Sequence, residues 1–310
     1  MNASIAAQVL VLFILMGIGF LSYKLKVTTK EAASYFSTFI MNISLPCLVL
    51  DSFFRPYSRE LLGEALVTLG IAFLVYGFSF LVGLAYPHIV RMKGPERGVH
   101  RYAVFISNSG LMGFPMIEAV LGSSFIFHAA IFSVPANLVA FSLGGWLIAK
   151  EGKKSPVFSW KVLITPLFVT TFAGFMVFLF SVRLPSPLEQ TIHLTGSITT
   201  PLAMILIGIS IAQADLKSLL LRWRMYTTVF TRLILIPVLV GLLCYIAGIR
   251  GPLLMLPVLI SAMPAGSTTS IFATFYDIAV EEAGSIVALS TLLCAFTVPL
   301  MVAFAHFLGG

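Results

Sequence analysis

The chain alternates long apolar runs with short polar connections along its whole length. A helix needs about 20 mostly apolar residues to cross a bilayer. By that measure the pattern predicts ten membrane spans, near residues 4–23, 34–54, 62–90, 99–121, 124–149, 160–182, 189–212, 223–248, 253–276 and 283–307. The sequence therefore predicts an all-α polytopic membrane protein in which short connections hold the spans in one compact membrane domain.

Composition supports an integral membrane protein. Of the 310 residues, 59% are hydrophobic and 10% are charged, whereas soluble domains carry about 25% charged residues. The formal net charge of +7 does not indicate a nucleic-acid partner, because the basic residues lie between apolar runs, as in cytoplasmic loops.

The distribution of Lys and Arg predicts the orientation. Odd-numbered connections hold 14 of the 19 basic residues, even-numbered connections hold four, and Arg232 lies inside a span. Odd connections are therefore predicted to be cytoplasmic, which places both termini on the non-cytoplasmic side of the cell (inner) membrane. The last odd connection is an exception, since it contains Asp277, Glu281 and Glu282 and no basic residue.

Two spans carry residues that break helices at their centres. Span 4 contains the stretch NSGLMGFP, from Asn108 to Pro115, and span 9 contains MPAGSTTS, with Pro264 and Gly266. Proline removes a backbone donor and clashes with the preceding turn. Non-helical backbone at membrane depth occurs only where it is buried in protein or lines a cavity. Both stretches are therefore candidates for the functional centre.

The two breaks lie at matching positions of two sequence halves. Pro46 in span 2 and Pro201 in span 7 are 155 positions apart, and the same offset carries Asn108 to Met263, next to Pro264. Five spans per half is an odd number, so the second half, residues 157–310, is predicted to be inverted relative to the first, residues 1–151. Matched broken helices in inverted repeats indicate a transporter's binding site.

The succession of ISLPCLVLDSF, NSGLMGFPMIEAVLG, TPLAMILIGISIA, RLILIPVL and PAGSTTSIFATFYD resembles the auxin efflux carrier family, in its bacterial branch, over nearly the whole chain. The resemblance implies a 5+5 inverted repeat related to bile acid:sodium symporters. It also implies a scaffold domain of spans 1, 2, 6 and 7 and a mobile transport domain of spans 3–5 and 8–10, with broken spans 4 and 9 crossing. Small organic anions such as malonate or malate are the expected substrates, and a homodimer through the scaffold helices is a further expectation.

The chemistry expected at the crossing is carboxylate binding. The N-terminal end of a half-helix offers backbone N–H groups and about half a positive charge. The predicted backbone donors are Gly113, Phe114 and Gly266 to Thr268, with hydrogen-bonding side chains at Asn108, Ser109, Ser267, Thr268 and Asn137. Pro115 and Pro264 are predicted to keep the helix halves apart. Each hydroxyl could instead bond back to its own helix.

Four further positions complete the predicted set, and some of these residues carry open alternatives. Asn42, Pro46 and Pro201 are expected on the scaffold side, although Asn42 and Asn137 could equally join neighbouring helices. Arg232 could pair with the substrate anion or with Glu118, or it could extend toward the cytoplasmic face.

No P-loop, HExxH, GxSxG or metal-ligand spacing occurs in the sequence, so neither an intramembrane enzyme nor a cofactor is expected. The predicted function is a secondary carrier for a small mono- or dicarboxylate, working by elevator-type alternating access. A sodium-coupled symporter is the alternative, and the sequence leaves sodium, proton and uncoupled transport open.

Overall fold

The structure is a computed structural model that describes residues 3–151, 164–213 and 223–309. The predicted connection around Lys153 and the one containing Lys217 and Arg222 lie outside these residues. In the described ranges the chain forms helices and no β-strand. The prediction of an all-helical fold is confirmed to that extent.

The α-helices are α1 (Ala3–Lys24), α2 (Lys30–Phe39), α3 (Leu45–Ser52), α4 (Arg59–Ile89), α5 (Arg97–Phe105), α6 (Phe114–Leu121), α7 (Ile126–Val139), α8 (Gly145–Ala149), α9 (Pro166–Leu179), α10 (Ser186–Ser197), α11 (Thr199–Gln213), α12 (Trp223–Phe230), α13 (Ile236–Ile246), α14 (Pro252–Ser261), α15 (Thr268–Tyr276) and α16 (Val280–Gly309). The described residues include four π-helical turns, at Ile40–Ser44, Ser109–Gly113, Ala140–Gly144 and Thr231–Leu235. Each leads directly into the helix that follows it.

The described helices are suited to a bilayer by length and composition. Seven continuous helical segments are long and apolar enough to cross a membrane. Three shorter apolar segments, Ser109–Leu121, Pro166–Leu179 and Pro252–Ser261, fall within predicted spans 4, 6 and 9. The chain is thus a polytopic membrane protein, and the ten-span inverted repeat stays a prediction.

Proline explains three of the four π-helical turns. The turns at Ile40–Ser44, Ser109–Gly113 and Thr231–Leu235 each end two residues before a proline, at Pro46, Pro115 and Pro237 respectively. Proline cannot donate to the carbonyl four residues earlier, and its ring clashes with that carbonyl. A turn with i→i+5 bonding widens the helix locally, so the helix continues through the proline.

Two compact units make up the chain. The first comprises the described residues of Met1–Ile71, Gly110–Val134 and Lys161–Gln213, and the second those of Ala72–Ser109, Pro135–Trp160 and Ala214–Gly310. Each unit draws residues from both halves of the sequence. The predicted division into scaffold and transport domains remains a prediction.

The first unit is held together by a close approach of α1 and α11. A Cβ atom added at Gly19 would lie 2.0 Å from the carbonyl oxygen of Ile205, and one added at Gly208 would lie 1.9 Å from that of Met16. Small residues are what allow membrane helices to pack backbone against backbone.

We expect Gly19→Ala to destabilise the protein, because its methyl group would force two helix backbones apart. Overpacking typically costs about 1–3 kcal/mol. Gly17→Ala is the matched control on the same helix, since a Cβ at Gly17 meets nothing within 4 Å. The measurement is the melting temperature of both variants in detergent, and equal melting temperatures would contradict the close approach.

Candidate functional site

The first interrupted helix changes to extended backbone in the middle of predicted span 4. Helix α5 ends at Phe105, and Ile106 has φ −101° and ψ 124°. The next helical residue is Ser109, where a π-helical turn leads into α6. The interruption therefore covers Ile106 to Asn108, where Ser and Asn compete with helical hydrogen bonding through their own side chains.

The second interruption lies in predicted span 9. Helix α14 ends at Ser261 and α15 begins at Thr268. Pro264 and Gly266 lie between them, as the sequence predicts. A Cβ at Gly266 would lie 3.0 Å from both the Ile106 side chain and the Thr268 hydroxyl, so glycine suits this close approach.

The two interruptions pair with each other through their backbones. The Asn108 N–H donates to the Pro264 carbonyl at 2.8 Å, and the Gly266 N–H donates to the Ile106 carbonyl at 3.0 Å. Ser107 and Ala265 face each other in the resulting antiparallel bridge. We call residues 106–108 and 264–266 the crossing bridge. It satisfies backbone groups that would otherwise be left unpaired at membrane depth.

Helix α16 supports the crossing bridge from the side. The Ala265 N–H donates to the buried hydroxyl oxygen of Ser290 at 3.1 Å. A third backbone donor of the interruptions is therefore satisfied by a side chain. The bridge is fixed by main-chain and hydroxyl groups rather than by ion pairs.

Arg232 binds carbonyls at the C-terminal ends of α5 and α14, the two half-helices that precede the interruptions. Its Nε donates to the Met263 carbonyl at 3.1 Å, and its Nη1 donates to the carbonyls of Val104 at 3.0 Å and Phe105 at 3.4 Å. The residue is 2% exposed. Carbonyls at helix C-termini carry partial negative charge, so the guanidinium both neutralises these ends and holds them together.

The expectation that Arg232 extends toward the cytoplasmic face is therefore corrected. The side chain does not extend to an aqueous face, because its nitrogens are bound to buried carbonyls. Glu118 lies in the first unit, where its carboxylate accepts a hydrogen bond from Thr200. Arg232 lies in the π-helical turn Thr231–Leu235, which directs it toward the crossing bridge.

Span 4 resumes earlier than the sequence predicts. Ser109 opens the second half of the broken helix, so Gly113 and Phe114 lie inside it rather than at its start. Pro115 is the second residue of α6 and does not separate the helix halves. The half-helix therefore begins with the backbone N–H groups at the start of the turn Ser109–Gly113, upstream of the predicted donors Gly113 and Phe114.

The other predicted residues divide between the units. Gly266 lies in the crossing bridge, Ser267 directly precedes α15, and Thr268 is the first residue of that helix. Ser267 is exposed, and the Thr268 hydroxyl accepts a hydrogen bond from Tyr102 at 2.9 Å. Asn137 is half-buried on α7. Residues 113–115 belong to the first unit.

The predicted scaffold residues also belong to the first unit. Asn42 donates to the carbonyl of Thr38 at 2.8 Å, on its own helical segment. Pro46 is buried near the start of α3, and Pro201 is half-buried in α11. Asn42 therefore bonds locally, rather than joining a neighbouring helix through its amide nitrogen.

The sequence analysis missed two hydroxyl residues at the interruptions. Ser107 directly precedes Asn108 in the extended backbone, where successive side chains point to opposite faces. The two adjacent polar residues in an apolar span are the sequence feature that could have identified Ser107. The hydroxyl of Thr269 is buried and has no hydrogen-bond partner among the described residues. It is the second residue of α15, at the start of that helix.

Comparison with known proteins shows that this sequence is similar to membrane transport proteins. A family profile described as "Membrane transport protein" matches residues 4–302. The chain is 26% identical over 310 residues to a "Putative malonate transporter" of Rhizobium meliloti (strain 1021), covering 96% of this chain and 94% of that protein.

Two further relatives match over similar lengths. An "Uncharacterized transporter" of Methanothermobacter thermautotrophicus is 26% identical over 309 residues, covering 94% of this chain and 95% of that protein. The "Uncharacterized transporter YfdV" of Escherichia coli (strain K12) is 21% identical over 306 residues, covering 95% and 96%. The similarity therefore spans whole chains rather than a shared segment.

Proposed function

Because the chain belongs to the Membrane transport protein family, which confirms its resemblance to auxin efflux carriers, we propose that it is a secondary carrier for a small organic anion. It is a membrane transporter and not an enzyme. The proposed substrate is a mono- or dicarboxylate such as malonate or malate. The proposed mechanism is elevator-type alternating access, with spans 1, 2, 6 and 7 fixed and spans 3–5 and 8–10 moving.

The observation that carries the substrate class is the pair of helix starts beside the crossing bridge. The helical segments that begin at Ser109 and Thr268 both start within a few residues of the paired interruptions. N-terminal turns favour anions through their N–H groups and dipoles. Arg232 is already bound to carbonyls, so the helix starts are the groups that would neutralise a carboxylate.

The side chains at these starts would set the orientation of the substrate. Thr269 offers a buried hydroxyl without a partner among the described residues, and Ser267 is exposed. Asn108 and Ser109 are half-buried at the other start. The name of the Rhizobium relative supports malonate as the first compound to test.

Purified protein should be stabilised by malonate or malate in a thermal-shift screen, and not by the neutral dimethyl esters of the same acids. A ligand that binds the folded state at 100 times its Kd adds about 2.7 kcal/mol of stability. Parallel wells with and without sodium test the symporter alternative. Equal melting temperatures with acid, ester and buffer, across a panel of mono- and dicarboxylates, would contradict the proposed substrate class.

The proposed location is the inner membrane, with both termini on the non-cytoplasmic side. Single cysteines at Ser58 and Ser123 should react with an impermeant thiol reagent added to intact cells, while cysteines at Lys26 and Lys93 should react only after permeabilisation. The native cysteines are replaced first. The reverse labelling pattern would show that the Lys and Arg count predicts the wrong orientation.

A further inference from the structure

A buried titratable cluster lies in the second unit, apart from the crossing bridge. His100 on α5 is 0% exposed and Glu282 on α16 is 7% exposed. The His100 Nε2 lies 2.9 Å from the Glu282 Oε1, and the His100 Nδ1 lies 2.6 Å from the Thr228 Oγ1. The Thr228 hydroxyl in turn lies 2.8 Å from the hydroxyl of Tyr86. Four helices, α4, α5, α12 and α16, thus meet through one hydrogen-bond network.

This network satisfies His100 in two protonation states without any movement of heavy atoms. When His100 is neutral, its Nε2–H donates to Glu282 and the Thr228 hydroxyl donates to its Nδ1. When an additional proton binds, Nδ1–H donates to Thr228, whose hydroxyl turns to the Arg224 carbonyl at 2.9 Å. That carbonyl already accepts from Thr227 at 2.9 Å, so neither state leaves it without a donor.

The charged groups on the surrounding elements are engaged elsewhere. They form pairs of their own, Arg224 with Glu96 at 3.6 Å, and Arg97 and Arg101 with Glu151 at 2.9 and 2.8 Å. Arg232 is bound to carbonyls, and Glu281 and Asp277 are exposed. The uncharged ring of Tyr86 stacks on His100, with ring centroids 6.4 Å apart. Helix α15 carries no charged side chain.

One proton therefore changes the net charge of a buried site. With neutral His100 and ionised Glu282 the pair carries one negative charge, and with one more proton its net charge is zero. Glu282 lies in the first turn of α16, where the helix dipole favours an ionised carboxylate. The hydrogen-bond network thus offers partners to both nitrogens of His100 in either state.

Both partners are linked to the crossing bridge. His100 is five residues before the end of α5, or about 7.5 Å at 1.5 Å per residue, and α5 runs directly into the interruption at Ile106. Glu282 lies on the same helix as Ser290, which binds the Ala265 N–H, about 12 Å along the axis. Each residue of the pair is thus on a helix that contacts one of the two interruptions.

We propose that His100 and Glu282 form the proton-binding site that couples anion transport to a proton gradient, an inference that rests on the proposed carrier function. A proton from one aqueous side forms an N–H bond at the His100 Nδ1 when the substrate binds. The same proton dissociates to water on the opposite side after the substrate leaves. One proton and one carboxylate substrate then move together in each cycle.

The test uses the full-length protein reconstituted into liposomes, with radiolabelled malonate as the probe and the membrane potential clamped by valinomycin and potassium. One proton per substrate should give about tenfold accumulation for each pH unit of inward gradient. Counterflow, in which internal malonate exchanges for external label without a gradient, measures the carrier cycle alone. Wild-type protein should show both activities.

Glu282→Gln should keep counterflow and lose gradient-driven accumulation, because its amide preserves the hydrogen bond but cannot ionise. Glu282→Asp should restore accumulation. Glu151→Gln is the matched control, since it removes a carboxylate that is ion-paired with Arg97 and Arg101 on α5, the helix that carries His100, and it should accumulate as wild type does. If Glu282→Gln is not recovered from the membrane, His100→Gln removes the Nδ1 site and should give the same loss.

The outcomes separate the two proposals. Accumulation by Glu282→Gln or His100→Gln equal to wild type would overturn the proton site. If the wild-type protein shows counterflow but a proton gradient does not drive accumulation, the proton site is also overturned. The proposed carrier function then remains intact. Absence of counterflow with malonate, malate or monocarboxylates would overturn the carrier function and with it the coupling proposal.

Discussion

Replacement of Arg232 by methionine should unfold or severely destabilise the protein and abolish transport. The side chain makes three buried hydrogen bonds to carbonyls that end two half-helices. Methionine fills a similar volume but leaves these acceptors without their donor. Hydrogen bonds to charged groups contribute about 1.5–3 kcal/mol each, so we expect a loss of about 3–5 kcal/mol, the range for breaking a buried charged contact. The measurement is melting temperature by fluorescence-detected size exclusion.

Arg250→Met is the matched control for that experiment. Arg250 also donates to two carbonyls near a helix end, that of Tyr245 in the last turn of α13 and that of Ile249 just after it, but it is exposed. Water replaces an exposed donor, so this variant should melt close to the wild-type temperature. Arg232→Lys keeps the charge and should recover only part of the stability, because an ammonium lacks the planar fork of donors. If Arg232→Met melts at the wild-type temperature, Arg232 does not hold the two helix ends together.

Pro264→Ala should lower malonate affinity at least about tenfold, or 1.4 kcal/mol, without lowering the melting temperature. Pro264 lies three residues after the end of α14, and its carbonyl accepts a hydrogen bond from the Asn108 N–H. Alanine restores the N–H and permits α14 to extend, since proline disfavours a helix by about 3 kcal/mol. Extension would withdraw the carbonyl from Asn108 and displace the start of α15. Malonate-induced thermal shift gives both quantities in one measurement.

Pro115→Ala separates this effect from the general effect of removing a membrane proline. Pro115 follows a π-helical turn inside a continuous helix, so its replacement should alter affinity much less than Pro264→Ala. Equal losses in the two variants would show that the crossing bridge does not depend on Pro264. Unchanged affinity in both would remove the prolines from the site altogether.

Hydropathy and residue type identify the apolar segments and the two interruptions, because both depend on local chemistry. Helix formation is disfavoured where Gly, Ser, Asn and Pro occur together. In the structure the helix is interrupted in both predicted spans. The position of the span 4 interruption is less predictable. Pro115 suggests a break at its own position, yet a widened turn accommodates it and the backbone becomes extended at Ile106.

Long-range partners account for most of what the sequence does not reveal. The carbonyls that bind Arg232 lie 127 and 128 positions earlier in the chain and 31 positions later. No periodicity in the sequence relates an arginine in one span to the ends of two others. Glu282 illustrates the same limit. The sequence indicates a solvated acid in a connection, whereas in the structure His100 of α5 lies beside it.

The crossing bridge has a consequence for how such a carrier diversifies. Its hydrogen bonds join main-chain atoms of Asn108, Pro264, Gly266 and Ile106, and every residue type supplies a carbonyl while all but proline supply an N–H. Side chains at Ser107, Asn108 and Ala265 can therefore be exchanged while the frame that positions the helix starts is retained. Substitutions at these positions therefore leave the main-chain hydrogen bonds of the bridge available.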